Sequence, residues 1–221
     1  MSNRGSLHVL VWLCITLITL TSCSSKTRSS VKYYLIDPVA QNALPRIVEH
    51  QDNVESAPVA TGELRIQIID VNIPQYLERF QIAQRVKQNQ LTFSDSHQWA
   101  ENLQKNLLRT MERNLSLLLD SADISTPVAR SSSTPDYALN VFIEQFDQDP
   151  QGRVVLVVRY QVSRSTSQEV LVTAKFEQVG SVTAKGNYAD MIASMQAIYN
   201  ALCVDIATSL IRLDELSAYE T

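Results

Sequence analysis

The chain has 221 residues, 45% of them apolar, and a formal charge of −4 from 19 basic and 23 acidic side chains. No basic excess marks it for nucleic acid. A chain of this length buries a core without disulfide or metal staples, so a single domain is the default.

The first element is an apolar run, Leu7 to Leu20 (LHVLVWLCITLITL), preceded by one cation, Arg4. At ~1.5 Å per residue, a helix of that length reaches ~21 Å, short of a ~30 Å hydrocarbon core, which fits a secretory signal better than a permanent span. The run ends in Leu20-Thr21-Ser22-Cys23. A leucine, two small residues and a cysteine resemble the lipobox of bacterial lipoproteins. That resemblance implies removal of residues 1–22 and acylation of Cys23 as the first mature residue, with palmitate among the chains. Several acyl chains on one residue make a durable anchor, because each buried methylene contributes ~0.8 kcal/mol and one chain alone holds only marginally. Ser24 stands where an aspartate would signal inner-membrane retention, so the resemblance implies an outer-membrane lipoprotein facing the periplasm.

Removal of residues 1–22 takes Arg4 alone among charged residues and leaves 18 basic against 23 acidic ones, a charge of −5. Cys14 leaves with the signal and Cys23 carries lipid, so Cys203 has no intramolecular partner. Residues 23–30 (CSSKTRSS) lack an apolar face and read as a lipidated terminus with a flexible tether. Residues 31–221 read as the single periplasmic domain.

Within that domain, Val31 to Asp37 is β-branched and aromatic and stops at Pro38, as a strand does. Pro38 to Gly62 reads as a long connection. Glu63 to Pro74 alternates Leu64, Ile66, Ile68 and then changes phase to Ile69, Val71, Ile73, which predicts a bulged strand. Ile82 to Val86 and Leu91 to Phe93 predict a hairpin with Asn89 in its turn. Asp95 and Gln98 have capping-box spacing ahead of Trp99, Leu103, Leu107, Met111, Leu115 and Leu118, which predicts a helix ending near Asp120. After the Ser-, Thr- and Pro-rich loop 121–135 come three alternating strands, centred on Tyr137–Ile143, Val154–Val162 and Val170–Phe176. A last helix, Tyr188 to about Leu213, carries Met191, Met195, Ile198, Leu202, Ile206 and Leu210 on one face, widened by Ile192, Tyr199 and Cys203. The expected class is α+β: an antiparallel sheet with two long amphipathic helices packed on one face.

Motifs for chemistry are sparse. His50 and His97 lack spacing partners for a metal site or a triad and read as solvated polar residues. There is no nucleophile elbow and no phosphate-cradling loop, so neither catalysis, a metal nor a cofactor is expected. Cys203, at helical spacing with apolar neighbours, reads as a core residue. Asp147 and Asp149 lack the further carboxylates of a calcium loop and read as a solvated turn.

The lipobox, Tyr33-Tyr34-Leu35, Ile73-Pro74-Gln75-Tyr76-Leu77, Arg85, Asn89-Gln90-Leu91, Trp99-Ala100-Glu101-Asn102-Leu103, Asp136-Tyr137 and the Ala- and Ile-rich last helix together resemble the PqiC family. These are auxiliary lipoproteins of ABC-type and MCE-type envelope transport systems. The segment Asn42 to Thr61 departs from the family pattern in length and charge. The resemblance implies an outer-membrane subunit that forms a homo-oligomeric ring and docks an MCE-domain periplasmic tunnel protein, with a role in lipid traffic and envelope integrity. A stand-alone lipoprotein that binds an amphiphile or assists envelope assembly is the alternative. Pro74 places Tyr76 and Leu77 on a loop, where bulky side chains need cover. Either the domain's own helices supply it, or Ile73, Pro74, Tyr76, Leu77 and Arg85 mark a contact with a neighbouring subunit or the tunnel.

Overall fold

The computed structural model describes residues 30–39, 64–130, 132–180 and 186–219. The expected signal peptide, Cys23, the expected tether ahead of Ser30, His50 and nearly all of the expected long connection lie outside the described residues. Val31–Thr221 forms one compact unit. Its elements run β1 (Lys32–Tyr34), β2 (Ile66–Asn72), a single 3-10 turn (Gln75–Leu77), β3 (Gln81–Lys87), β4 (Gln90–Trp99), α1 (Leu103–Leu118), β5 (Ile124–Ser125), β6 (Tyr137–Gln148), β7 (Val154–Arg164), β8 (Val170–Val179) and α2 (Tyr188–Tyr219).

Strand β6 organises the sheet. One edge pairs antiparallel with β7 from Tyr137↔Arg164 to Gln148↔Val154, and β7 pairs with β8, which is the expected meander. The other edge is forked. β2 runs parallel to its first half, from Ile66↔Tyr137 to Asn72↔Phe142, while β3 meets only its last residue, at Gln84↔Gln148. The hairpin β3–β4 then carries β1 parallel on β4, and β2 carries β5. The class is α+β, as expected, but the sheet is mixed rather than wholly antiparallel. Strand direction depends on the connections, and the long ones after β1 and β2 let each return beside a parallel partner, which apolar alternation does not encode.

The fork has a local cause. Proline has no amide to donate, so the β2 ladder stops at Asn72 and Pro74 turns the chain into the 3-10 turn, whose Leu77 amide donates to the Pro74 carbonyl at 2.9 Å. The bulge expected in β2 lies between Ile68 and Asp70: Ile66, Ile68 and Val71 are buried while Ile69 faces out.

The helix expected from Asp95 begins later. Asp95 and Gln98 belong to β4, which continues to Trp99 because β1 and β3 pair with its end. Asn102 is the true N-cap, its Oδ1 accepting the Lys105 amide at 3.1 Å. Leu103, Leu107, Met111, Leu115 and Leu118 are buried as read, and α1 ends at Leu118. Helix α2 runs six residues beyond the expected Leu213, and every core position expected on it is buried. By length and composition it would span a membrane, but half of that apolar stretch is buried inside the domain, as for a core helix.

The core is continuous. Leu139, Val141, Val158, Tyr160 and Val162 share one face of β6 and β7 with Ile66 and Ile68 of β2, and the buried faces of both helices join them. Tyr160 ties sheet to helix, donating to Asp205 Oδ2 at 2.8 Å and sharing a 2.8 Å hydrogen bond with Ser209. Helix meets helix where the Tyr199 hydroxyl donates to the Leu107 carbonyl at 2.9 Å. Gly180 closes the meander where the chain passes so near α2 that an added β-carbon would collide with Ser194 Oγ.

Cys203 is fully buried, as expected, and its burial pushes the thiol up to about 12 despite a 3.6 Å hydrogen bond from Asn114 Nδ2. Thiolate is the reactive form, so the folded protein should resist thiol reagents that label it in urea. Cys203→Ala should cost only ~1–2 kcal/mol in chemical denaturation. Rapid labelling under native conditions would contradict the burial.

Candidate functional site

Two of the five candidate contact residues, Tyr76 and Arg85, converge on one side chain that the sequence reading assigned to a solvated turn. Asp147 is 0% exposed. The Tyr76 hydroxyl donates to its Oδ2 at 2.8 Å. Arg85 approaches edge-on, Nη2 to Oδ2 at 2.8 Å and Nε to Oδ1 at 3.4 Å, and Gln145 Nε2 donates to Oδ1 at 2.8 Å. Pro74 and Leu77 frame the turn that delivers Tyr76 to the gap between β2 and β3. Ile73 packs against the core beside them.

The electrostatics follow from burial. Tyr76 is held above the ordinary tyrosine range, first by desolvation and then by the adjacent Asp147 charge and hydrogen bond, so it remains a protonated donor. Arg85 is raised chiefly by its hydrogen bond to Asp147. Both carboxylate oxygens are occupied by donors, and the guanidinium is 23% exposed. This geometry clamps a turn; it does not poise a base or a nucleophile.

Two corrections follow. Asp147 was misassigned because β6 runs past Ile143 to Gln148, and Tyr76 and Arg85, distant in sequence, close over its carboxylate. Asp149 alone caps the turn, Oδ1 accepting the Gln151 and Arg153 amides at 2.9 and 2.8 Å. Leu77, at 3% exposure, belongs to the core, and Tyr76 and Arg85 direct their polar ends at Asp147. These side chains therefore shape the turn from within, while its surface consists of Gln75, Glu78, Arg79 and Phe80.

A polar relay extends the clamp to α2. Gln84 Nε2 donates to Gln148 Oε1 at 2.6 Å, and the Tyr188 hydroxyl donates to Gln84 Oε1 at 2.8 Å. The Tyr188 ring stacks on His97, centroids 3.9 Å apart, and Tyr34 lies 5.8 Å beyond on His97. His97 thus sits in β4 within an aromatic stack, not as a free polar residue at a helix cap. Among the described residues no cluster of three or more ligating side chains could hold a metal.

Desolvation, then the Lys32 charge, lowers the His97 pKa. The unfolded chain therefore binds more protons than the folded one between the lowered value and the usual ~6.5, and stability, full above that pH, falls as pH drops through the window. His97→Phe keeps the stack and removes the titration. Its melting temperature should lose part of the difference between pH 7.5 and pH 5, and an undiminished difference would assign the effect to other groups.

No curated protein matches this chain in sequence. Two solved structures share the fold. One is the crystal structure of an uncharacterized protein, at 18% identity and TM-score 0.62, covering 82% of this chain and 99% of the other. The second is the protein XCC0632 from Xanthomonas campestris, at 13% identity and TM-score 0.62, covering 87% and 98%. At such identities the likeness speaks for architecture alone. Sequence carries the assignment further: residues 49–207, well over half the chain, match the model of the ABC-type transport auxiliary lipoprotein component, and that stretch holds the turn, the arginine and the buried aspartate. The chain belongs to the ABC-type transport auxiliary lipoprotein component family.

Proposed function

We propose that the protein is acylated on Cys23, held at the outer membrane facing the periplasm, and serves without catalysis as the docking subunit of a Pqi-like system. In that role it forms a homo-oligomeric ring and receives an MCE-domain tunnel protein that carries lipid between membranes, supporting envelope integrity. The observation that carries the reading is the match to a transport auxiliary lipoprotein family, joined to a cysteine placed directly after Leu20-Thr21-Ser22. The inward-turned clamp fits it, because a carboxylate with every donor in place rigidifies a domain instead of processing a substrate. Ile73, Pro74, Tyr76, Leu77 and Arg85 fix the turn, and through the partly exposed Ile73, Pro74, Tyr76 and Arg85 this turn contributes to the contact with a neighbouring subunit or the tunnel protein.

The test begins at the anchor. Cys23→Ala should abolish labelling by a palmitate analogue and remove the protein from the outer-membrane fraction. Crosslinking of the wild-type protein in cells should capture an MCE-domain protein, and light scattering should report a closed oligomer. Unchanged labelling of the variant would refute the anchor, and a monomer that captures no MCE protein would refute the docking role.

A further inference from the structure

Two of the exposed aromatic side chains, Tyr33 and Phe80, lie at one corner of the sheet. Tyr33 on β1 is 64% exposed, and Phe80, just ahead of β3, is 56% exposed. Both flank the end of β4: Tyr33 is in register with Gln98, and the Trp99 amide donates to the Phe80 carbonyl at 2.7 Å. With neighbouring strands ~4.8 Å apart, the two backbones lie about 10 Å from each other. The Arg79 guanidinium sits 4.7 Å above the centre of the Phe93 ring at the same corner. Among the described strands, β1 pairs only with β4, so no described strand lies on its outer side.

The chain itself indicates what covers it. Cys23 precedes Tyr33 by ten residues, and at no more than ~3.6 Å per residue the corner lies within about 36 Å of the acylated sulfur. Tyr33 is the exposed aromatic nearest the anchor along the chain. A tyrosine with one polar end, an exposed phenylalanine and an arginine with an apolar stem suit the boundary between headgroups and acyl chains, where one side is wet and the other dry. Lys26, Arg28 and Lys32 add cations on the approach, and exposed Glu78 and Asp95 offset them. Apolar insertion, rather than attraction to anionic lipid, is therefore the mode of contact.

We propose that Tyr33, Phe80 and the Arg79–Phe93 pair form a membrane-seating corner that rests in the headgroup region of the phospholipid layer holding the Cys23 acyl chains. The inference rests on the acylated Cys23 and adds an orientation to it: the domain stands on this corner rather than swinging from its anchor.

Hydroxyl-radical footprinting of the acylated full chain in phosphatidylethanolamine and phosphatidylglycerol vesicles tests it, with the unacylated Cys23→Ala chain in buffer at equal concentration as reference and Tyr219, 77% exposed, as internal standard. Tyr33 and Phe80 should oxidise several-fold more slowly on vesicles than in the reference, with Tyr219 unchanged and the protection retained in high salt. Protection of equal size in both samples would assign the corner to contact between copies of the chain and overturn the proposal. So would equal oxidation of Tyr33 and Tyr219 on vesicles when mass spectrometry finds Cys23 acylated and the protein sediments with lipid. Absent acyl mass and absent sedimentation would instead refute the anchor, and with it the corner as proposed.

Discussion

Arg85→Met should lower the unfolding free energy by roughly 3–5 kcal/mol, the cost of breaking a buried ion pair and leaving one charge unpaired. Asp147 is wholly buried, and without the guanidinium its carboxylate keeps only the Tyr76 and Gln145 donors. A double variant provides the check, by urea denaturation at neutral pH. A companion Asp147→Asn change in the Arg85→Met background should recover much of the loss, since no buried charge then remains. No recovery in the double variant would mean that Arg85 contributes by packing alone.

Asn106→Leu with Thr110→Val should be nearly as damaging, for a different reason. Residues 36–39 belong to no strand, and side chains of both helices satisfy part of their backbone, the Asp37 amide donating to Gln196 Oε1 at 3.4 Å. Asn106 Oδ1 accepts the Ile36 amide at 2.7 Å, and its Nδ2 donates to the Ile36 carbonyl at 3.0 Å. Thr110 Oγ1 donates to the same carbonyl at 2.7 Å, and Asn114 Oδ1 accepts the Val39 amide at 3.0 Å. The double change strands an amide and a carbonyl at a fully buried residue, and at ~1–3 kcal/mol for each group the loss is roughly 2–6 kcal/mol. Limited proteolysis separates release of this strap from global unfolding: cleavage near Ile36 should precede loss of helical circular dichroism. Cleavage that only follows unfolding would show the strap to be held by the Ile36 side chain instead.

The contrast between what was read and what was missed has a physical basis. Every apolar position assigned to α2 is buried, Cys203 included, because a helix declares its inward face within one turn of itself. The β2 bulge was legible for the same reason, as a phase change between Ile68 and Ile69. Asp95 and Gln98 misled because capping-box spacing is a local pattern, whereas the pairing that keeps them in β4 comes from β1, some 60 residues earlier. Asn106, Thr110 and Asn114 recur at every fourth residue and are buried, yet in sequence they resemble a solvated stripe, since their partners are backbone atoms about 70 residues away. Asp147 was hidden because its partners stand at positions 76 and 85, some 60 to 70 residues earlier. The meeting of Tyr76 and Arg85 on Asp147 appears only once the sheet is assembled.

The fork in β6 also has a consequence in time. β7 and β8 reach their neighbours through short turns and can pair as soon as they exist, whereas β2 must wait for a strand that begins 71 residues after Ile66 pairs with Tyr137. Closing so long a loop precedes any reward from its contacts, which makes non-local pairing the slow part of folding. A chain delivered N-terminus first therefore presents Ile66, Ile68, Val71 and the hairpin long before β6 arrives to cover them. Such a chain stays open, with apolar strand edges available to a holding chaperone, until its last third has emerged.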